Sequence, residues 1–335
     1  QNEKEGASNT LQFDTPSSVS GHCYISTSDP SAGGHKTVPC VLGGGFLHGR
    51  RGLQTDSKGC FHFPARYFFN TIKMQTDRIP QLHTYDLGEG VMAFSTTRHG
   101  GVSEGNYGEM NINRYCGDSE EHVEANMKAL CRELGISTDR LVMPHQVHGI
   151  ESRMIADEFF ALPAEIRTML LDNTDCVMTD QAGACIGVST ADCVPVLLYD
   201  EEHHAAAAVH AGWRGTLNRI AHKAVVEMHR CYKSDPAKIK AVIGPAISVR
   251  HFEVGQELYD QFSQLNNDMD RIAEMHDKWH LNLPLCNELQ LEDAGVLKAN
   301  IQQSGICTWE SVADYFSARR LGQDSGRIYT AIILK

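Results

Sequence analysis

The chain has 335 residues, of which 41% are hydrophobic and 21% charged, and its formal net charge is −12. These values are typical of a soluble globular protein with one large or two modest domains. The acidic balance argues against a nucleic-acid-binding face, and no window approaches the ~18 apolar residues of a membrane span. The 11 cysteines are odd in number and lack paired spacing, which argues against a disulfide framework and favours the reducing cytoplasm.

The first 73 residues differ in composition from the rest of the chain. They are rich in Ser, Gly, Thr and His, and their five acidic and seven basic residues give a net charge of +2. We predict a poorly structured leader or non-native extension over 1–73 and one domain over 74–335, with a small module of short strands as the alternative for the leader. The candidate zinc-finger donors of this stretch are too widely spaced, at Cys23, Cys40, Cys60 and His62.

From about residue 83, apolar runs bounded by turn residues alternate irregularly with helical patterns. In chain order, the predicted elements are a strand at 91–97, a helix between Ser119 and Gly135, a strand at 141–143, a helix at 156–170, strands at 175–180, 184–190, 194–200 and 205–212, a helix at 216–232, a strand at 241–247, helices at 253–265 and 286–298, and a strand at 326–334. Because consecutive strands lack intervening helices, we predict an α+β fold with layered mixed or antiparallel sheets flanked by helices.

Three segments place a possible metal ligand at the end of an apolar strand, beside small residues. They are HQVHG (145–149), TADCVP (190–195) and VHAGWRG (209–215). Strand ends that meet at a sheet edge bring side chains together, and one thiolate with two imidazoles suits Zn²⁺ and leaves a fourth position for water. Taken singly, each of these residue types is more often a packed or surface residue than a metal ligand, and only their convergence favours a site.

The same segments, in this order, resemble a known bacterial family. STTRHGGVS (95–103), MNINRYCGD (110–118), HQVHG, TADCVPVLLYD, AAVHAGWRGT, AVIGPAI followed after four residues by FEVG, and FSARR (316–320) carry the resemblance. The family has been called multicopper polyphenol oxidase or laccase-domain and is understood as purine nucleoside phosphorylase. The resemblance runs from about residue 85 to the C-terminus and leaves the leader outside.

The resemblance implies a fold, a metal and an activity. The implied fold is the layered α+β sandwich of cytotoxic necrotising factor catalytic domains, and the implied metal is zinc on His148, Cys193 and His210. The implied reaction is phosphorolysis of inosine, guanosine and adenosine, with cleavage of methylthioadenosine and deamination of adenosine. Purine nucleosides and phosphate are then the partners of a cytoplasmic monomer, with no nucleic acid and no membrane.

Phosphate binding favours arginine, and four arginines match family positions: Arg98, Arg214, Arg319 and Arg320. For Arg320 a surface ion pair is the alternative, and FSARRLG departs from the usual FSYRRD. Asp192 and Asp175 are the candidate acid/base groups, with buried structural carboxylates as the alternative. Trp213 either stacks on the purine or packs in the core. Cys307 matches a family cysteine and is interpreted as a buried inert thiol, with a position close to the site as the alternative.

Three other functions remain open. A copper-dependent polyphenol oxidase is possible as a side activity because copper binds such donors strongly, although the sequence has no His-x-His pair. A cysteine hydrolase or deamidase would use Cys193 as nucleophile and His210 as base. A non-enzymatic metal-binding module would need no clustered arginines.

Two histidine pairs are set aside. His276 and His280 have helical zinc-ligand spacing but lack the Glu of H-E-x-x-H, which predicts solvated helix surface. His203 and His204 are adjacent in a polar turn, where their side chains point apart.

Overall fold

The computed structural model describes residues 78–265 and 268–335, together with three short strands nearer the N-terminus. The chain divides into two compact units, residues 1–77 and 78–335. The first unit contains an antiparallel three-stranded sheet, made of β1 (Thr10–Gln12), β2 (Cys23–Thr27) and β3 (Lys36–Cys40). Most of the predicted leader lies outside the described residues, and its state and its boundary at residue 74 stay predictions.

The described part of the second unit mixes strands and helices. Its strands are β4 (Leu82–Tyr85), β5 (Val91–Thr96), β6 (Leu141–Val142), β7 (Ser152–Ile155), β8 (Cys176–Thr179), β9 (Cys185–Thr190), β10 (Val194–Asp200), β11 (Ala205–Ala211), β12 (Lys240–Ile243), β13 (Glu253–Val254), β14 (Ala273–Met275), β15 (Trp279–Leu281), β16 (Ile301–Gln303) and β17 (Ile328–Leu334). Its helices are α1 (Glu120–Leu134), α2 (Asp157–Ala161), α3 (Ala164–Leu170), α4 (Trp213–Leu217), α5 (Ile220–Tyr232), α6 (Gln256–Gln264), α7 (Met269–Ile272), α8 (Leu283–Asp293) and α9 (Ala318–Leu321). None of these helices has the length and apolarity needed to cross a membrane.

Three sheets organise the second unit. The six-stranded sheet has the order β16-β12-β10-β11-β8-β7, the five-stranded sheet β4-β5-β17-β9-β6, and the small sheet β13-β15-β14. Strands β7 and β8, β12 and β16, and β6 and β9 pair in parallel, whereas the other pairs are antiparallel. The predicted α+β class with mixed sheets is confirmed.

The two large sheets pack face to face, because their strands are apolar on both sides. Along β10, Leu197 and Tyr199 point between the sheets, and Val196 and Leu198 point to the opposite face. The opposing residues of the five-stranded sheet include Ile186 of β9. Strands buried on both faces read as continuous apolar runs, which is why the sequence pattern located them well.

Helices cover the outer faces of this sheet pair. Leu130 of α1 packs with Phe94 and Tyr329 on the five-stranded sheet. Val225 of α5 and Leu291 of α8 pack on the six-stranded sheet. The unit is therefore a sandwich with the layers helix, sheet, sheet and helix, as the sequence predicts.

Several predicted elements differ from the observed ones. The helix predicted at 156–170 is divided into α2 and α3 by Leu162-Pro163, since proline has no N–H to donate. The helix predicted at 216–232 is divided into α4 and α5 because Arg219 is left-handed, with φ 61°. The strand predicted at 241–247 ends at Ile243, before Gly244-Pro245.

The remaining differences lie nearer the C-terminus. The segment predicted as a helix at 253–265 begins as the strand β13 and becomes helical at Gln256. The helix predicted at 286–298 begins earlier because the Asn282 side chain accepts a hydrogen bond from the Leu285 N–H. The helix expected around His276 and His280 is instead the β14–β15 hairpin. The pattern missed β4, β7, β14, β15 and β16, which are four residues or shorter.

Gly187 of β9 provides the first testable constraint. A Cβ atom there would lie 2.5 Å from Tyr329 Cζ and 2.6 Å from Ala331 Cβ, and both neighbours are fixed in β17. We expect Gly187→Ala to lower the free energy of unfolding in urea by about 1–3 kcal/mol through overpacking. The control is Gly255→Ala, because Gly255 is the N-cap of α6 and no described atom lies within 4 Å of the new Cβ. This variant should lower the free energy of unfolding by only about 0.5 kcal/mol. Equal losses in the two variants would contradict this view of the packing.

Candidate metal centre and substrate cavity

The three predicted metal donors converge at one edge of the sheet pair. His148 lies in the loop between β6 and β7, and Cys193 in the turn between β9 and β10, both of which connect one large sheet to the other. His210 lies in β11, paired with Pro195 of β10. One ligand atom from each of the three residues lies within 4.8 Å of those of the other two. The sequence-predicted set is thus brought together, and its role as a ligand set stays a prediction.

Asp175, immediately before β8, bonds the imidazole of His210 and the backbone of His148. Its Oδ1 accepts a hydrogen bond from His210 Nδ1 at 2.7 Å and from the His148 backbone N–H at 3.0 Å. Its Oδ2 accepts from the Gly149 N–H at 2.7 Å. The carboxylate is fully buried, and His148 has a φ of 63° that these bonds hold in place. Because Nδ1 of His210 is occupied, Nε2 is the nitrogen left to face the thiol.

The electrostatics of this group favour a thiolate. Burial alone would raise the pKa of Cys193, but the His210 and His148 rings lower it to about 6. Burial would likewise lower the pKa of His210, but Cys193 and Asp175 raise it to about 9. The thiolate is the form that binds metals and acts as a nucleophile, so the site favours the reactive form of the sulfur.

Gly212 leaves the space that the donors occupy. A Cβ atom at this position would lie 2.7 Å from His148 Cδ2 and 3.2 Å from Cys193 Sγ. Any larger residue would therefore displace the imidazole or the thiol. A half-buried thiolate and two positioned histidines, with a glycine beside them that leaves them room, fit the donor set of a zinc site with one open position.

A cavity of about 510 Å³ adjoins the three donors. It falls in the range of small-molecule sites. Aromatic, amide and basic side chains share its wall with the donors: Asn113, Tyr115, His145, Gln146, Trp213, Arg214, Phe252, Arg319 and Arg327. Its lining can therefore contact a flat ring, a polyol and an anion at once.

The four predicted phosphate-binding arginines fall into two groups. Arg214 and Arg319 line the cavity. The Arg214 guanidinium stacks on the Trp213 ring, 4.4 Å from its centroid, and no described residue hydrogen-bonds it, so its donors are available. Arg319 donates one hydrogen bond to the Glu253 carbonyl at 3.2 Å.

The other two lie outside the lining of this cavity. Arg98 donates to the Gly108 and Val312 carbonyls at 2.8 and 2.7 Å. Arg320 donates to the Trp309 carbonyl at 2.7 Å and covers the Trp309 ring. Their guanidinium groups hold backbone segments, which weakens the case for both as phosphate ligands.

Asp192 lines the cavity, yet its carboxylate is bonded to the protein. Oδ1 accepts from the Thr308 hydroxyl at 2.7 Å and Oδ2 from the Arg319 N–H at 2.6 Å. Asp175 is likewise bonded through both oxygens and does not line the cavity. Of the two predicted acid/base groups, only Asp192 can therefore contact a bound molecule.

Sequence reasoning did not assign several cavity residues. Gln146 donates to the Ser189 carbonyl at 2.9 Å, and His145 bonds Asp172 at 2.6 Å and packs against the Tyr115 ring. Arg327 lines the cavity near the C-terminal strand. His145, Gln146 and Tyr115 lie inside the motifs that carry the family resemblance, which was the available signal. Arg327 lies outside them.

Comparisons with known proteins agree on the family. The sequence model of the family described as multi-copper polyphenol oxidoreductase laccase matches residues 92–335. A protein of Bacteroides thetaiotaomicron named purine nucleoside phosphorylase is 39% identical over 72% of this chain and 90% of its own length. Adenosine deaminase RL5, from an unknown prokaryotic organism, is 39% identical over 74% of this chain and 95% of its own length.

Solved structures agree with the fold. The hypothetical protein YfiH of Bacillus licheniformis has a TM-score of 0.69 and 31% identity, and covers 73% of this chain and 93% of its own. YlmD of Geobacillus stearothermophilus has a TM-score of 0.69 and 28% identity, and covers 75% of this chain and 94% of its own. The similarity to cytotoxic necrotising factor domains stays a prediction.

Asp175→Asn tests the role of the buried carboxylate. An amide offers one acceptor oxygen and turns an NH₂ group toward donors, so buried hydrogen bonds are lost. We expect the free energy of unfolding to fall by about 2–3 kcal/mol in chemical denaturation. The control is Asp172→Asn, whose half-exposed carboxylate bonds His145, and which should lose less than about 1 kcal/mol. A small loss for Asp175→Asn would contradict the positioning role.

Proposed function

We infer that this protein is a purine nucleoside phosphorylase, because the chain belongs to the multi-copper polyphenol oxidoreductase laccase family. It cleaves inosine, guanosine and adenosine with phosphate to give the purine base and ribose 1-phosphate, and it accepts methylthioadenosine. It also deaminates adenosine. Relatives named purine nucleoside phosphorylase and adenosine deaminase support both activities.

One observation carries the proposal: the guanidinium of Arg214, which no described residue hydrogen-bonds, lines the same cavity as the His148, Cys193 and His210 donors. Phosphorolysis requires an anionic phosphate to be held against the ribose C1′ atom while the C1′–N9 bond to the purine breaks. Arginine binds phosphate through paired charge-assisted hydrogen bonds, and the free donors of Arg214 meet that need. Arg319 supplies a second positive charge on the cavity wall.

The rest of the cavity supports nucleoside binding. The aromatic rings of Tyr115, Trp213 and Phe252 line it and offer faces for a purine. The amides of Asn113 and Gln146 offer donors and acceptors to ribose hydroxyls, although each also bonds Ser189. Both kinds of contact are needed to hold a nucleoside across its full length.

The donor set supports zinc as the bound metal, with copper as a competitor for the same atoms. Zinc on His148, Cys193 and His210 would act as a Lewis acid and lower the pKa of a bound water, the chemistry that deamination at purine C6 requires. Asp175 then keeps the His210 ring and the His148 backbone in position instead of exchanging a proton with substrate. Asp192, which lines the cavity, is the better candidate acid/base group.

A cysteine hydrolase is the second candidate, and one observation favours it. Cys193, His210 and Asp175 form a chain of thiol, imidazole and carboxylate with a lowered thiol pKa. Two imidazoles beside the sulfur favour the metal instead, since a hydrolase needs only one. Loss of activity with a chelator favours the metal function, whereas activity that resists chelators but not alkylation favours the hydrolase.

A polyphenol oxidase has less support. The described residues bring together two groups of three metal-binding side chains, whereas a multicopper oxidase needs about ten histidines around several coppers. Oxidation of phenols with added copper is therefore proposed only as a side activity.

We place the enzyme in the cytoplasm as a monomer. The eight cysteines of the second unit, from Cys116 to Cys307, are free thiols, as expected in a reducing compartment.

Removing a metal donor tests the assignment. We expect Cys193→Ala and His210→Ala each to abolish release of hypoxanthine from inosine and phosphate and to lower bound zinc by about one equivalent. Products are followed by chromatography with and without phosphate, and adenosine is tested in parallel for ammonia release. Cys231→Ala, which removes an exposed thiol, should leave both readouts unchanged. Full phosphorolysis in either donor variant would contradict the proposed role of the metal centre.

Arg214→Ala tests the phosphate site. Loss of its charge-assisted hydrogen bonds should raise the KM for phosphate by about 10- to 100-fold while the KM for inosine changes little. The matched control is Arg320→Ala, because that guanidinium binds a backbone carbonyl outside the cavity lining. Normal phosphate dependence in Arg214→Ala, or an equal effect in Arg320→Ala, would refute the role.

A further inference from the structure

We propose a second metal site, formed by His251, Cys307 and Glu310, that binds a divalent ion of the zinc class. One ligand atom from each residue lies within 4.8 Å of those of the other two. The set shares no residue with the His148, Cys193 and His210 group. It also lies outside the lining of the nucleoside cavity, so it does not depend on the proposed function.

The backbone fixes the two segments that carry these donors. Cys307 and Glu310 lie on one turn, in which the Ser311 N–H donates to the Cys307 carbonyl at 2.9 Å. Cys307 also forms a parallel bridge with Ala246, and the Thr308 N–H donates to the Ala246 carbonyl at 3.1 Å. His251 ends a short 3-10 helix, Val249–His251, a few residues beyond that bridge. The donors are therefore held together before any ion binds.

The His251 ring is already turned toward Glu310. Its Nε2 lies 2.9 Å from Glu310 Oε1, and its face stacks on the Trp309 ring at 3.9 Å between centroids. Stacking limits rotation of the imidazole, so Nε2 stays on the side of the carboxylate. A competing contact from Arg250, 3.5 Å from Oε1, comes from a highly exposed side chain that can move into solvent.

The thiol has the surroundings of a metal ligand. Cys307 is buried, and the Ser248 backbone N–H donates to its Sγ at 3.4 Å, which fixes the position of the sulfur. The Ser248 hydroxyl is buried without a hydrogen-bond partner among the described residues. A metal-bound water is the kind of group that would satisfy it.

The spacing suits a small tetrahedral ion. With zinc–nitrogen, zinc–oxygen and zinc–sulfur bonds of ordinary length, tetrahedral ligand atoms lie about 3.3–3.6 Å apart. The His251–Glu310 pair would open slightly from 2.9 Å, and the other separations, within 4.8 Å, would need at most a shift of about 1 Å. A thiolate with an imidazole selects zinc or cobalt over magnesium or calcium, which prefer oxygen ligands.

A metal here would brace the cavity wall. Thr308 follows Cys307, and its hydroxyl donates to Asp192 Oδ1 at 2.7 Å. The site would thus fix the segment that holds Asp192, which is a structural role for the ion.

Cobalt titration of the full chain in the Cys193→Ser background tests the site, because that change removes the thiolate of the first group. We expect Co²⁺ to produce a thiolate-to-cobalt charge-transfer band with about one equivalent bound. The band should disappear in Cys193→Ser/Cys307→Ser and persist in Cys193→Ser/Cys231→Ser, whose lost thiol is exposed. Absence of the band from Cys193→Ser, or its persistence after loss of Cys307, would overturn the proposal.

A surface variant guards against a folding defect in Cys307→Ser. Glu310→Gln, made in the Cys193→Ser background, should weaken cobalt binding by at least roughly tenfold, because it removes one ligand from a partly exposed position. Glu274→Gln is the matched control, because Glu274 also contacts a histidine, His276, but belongs to neither described group of metal-binding side chains. Equal cobalt affinities in these two variants would also overturn the site. No nucleoside enters either measurement, so failure here is distinguishable from failure of the phosphorylase proposal.

Discussion

The buried carboxylate of Asp175 is the interaction on which the candidate metal centre depends. It accepts hydrogen bonds from the His210 ring and from the backbone of His148 and Gly149. A carboxylate removed from water must be compensated by such bonds, and here the compensating groups are the ones that carry the site. The His148–Gly149 loop and the His210 imidazole are therefore fixed by the same carboxylate, and moving either one would cost it a buried hydrogen bond. Asp175 thus links the stability of this edge to its chemistry.

The packing of two sheets explains why the donors meet where they do. His148 and Cys193 lie in connections that pass from the five-stranded to the six-stranded sheet, and His210 lies in a strand next to β10. Connections between packed sheets come together at the rim of the interface, where the backbone is free of ladder hydrogen bonds. Gly212 then gives the rim room for an imidazole and a thiol side by side. The large apolar interface provides the rigidity that a preorganised site needs.

The sequence was informative where burial dominates. Strands β9, β10 and β11 are apolar on both faces, so their positions were close to correct. Helix divisions were missed because they depend on single residues, such as the left-handed Arg219. The convergence of the metal donors followed from strand ends and family motifs. The sequence could not show that Arg320 bonds a backbone carbonyl while no described residue bonds the Arg214 guanidinium. Only the fold brings a carbonyl close to one arginine and not to the other.

A phosphate site on an acidic chain needs a local source of positive charge, and the arginines that line the cavity are the candidates for it. The net charge of −12 repels anions at long range, but salt screens this repulsion beyond about 10 Å. Within the cavity, Arg214, Arg319 and Arg327 contribute charge, whereas the carboxylate of Asp192 is bonded to Thr308 and to the Arg319 backbone. Hydrogen bonds to both oxygens draw part of that negative charge away from the cavity. We therefore expect local pairing, and not the overall composition, to set the sign of the electrostatic potential that a bound anion meets.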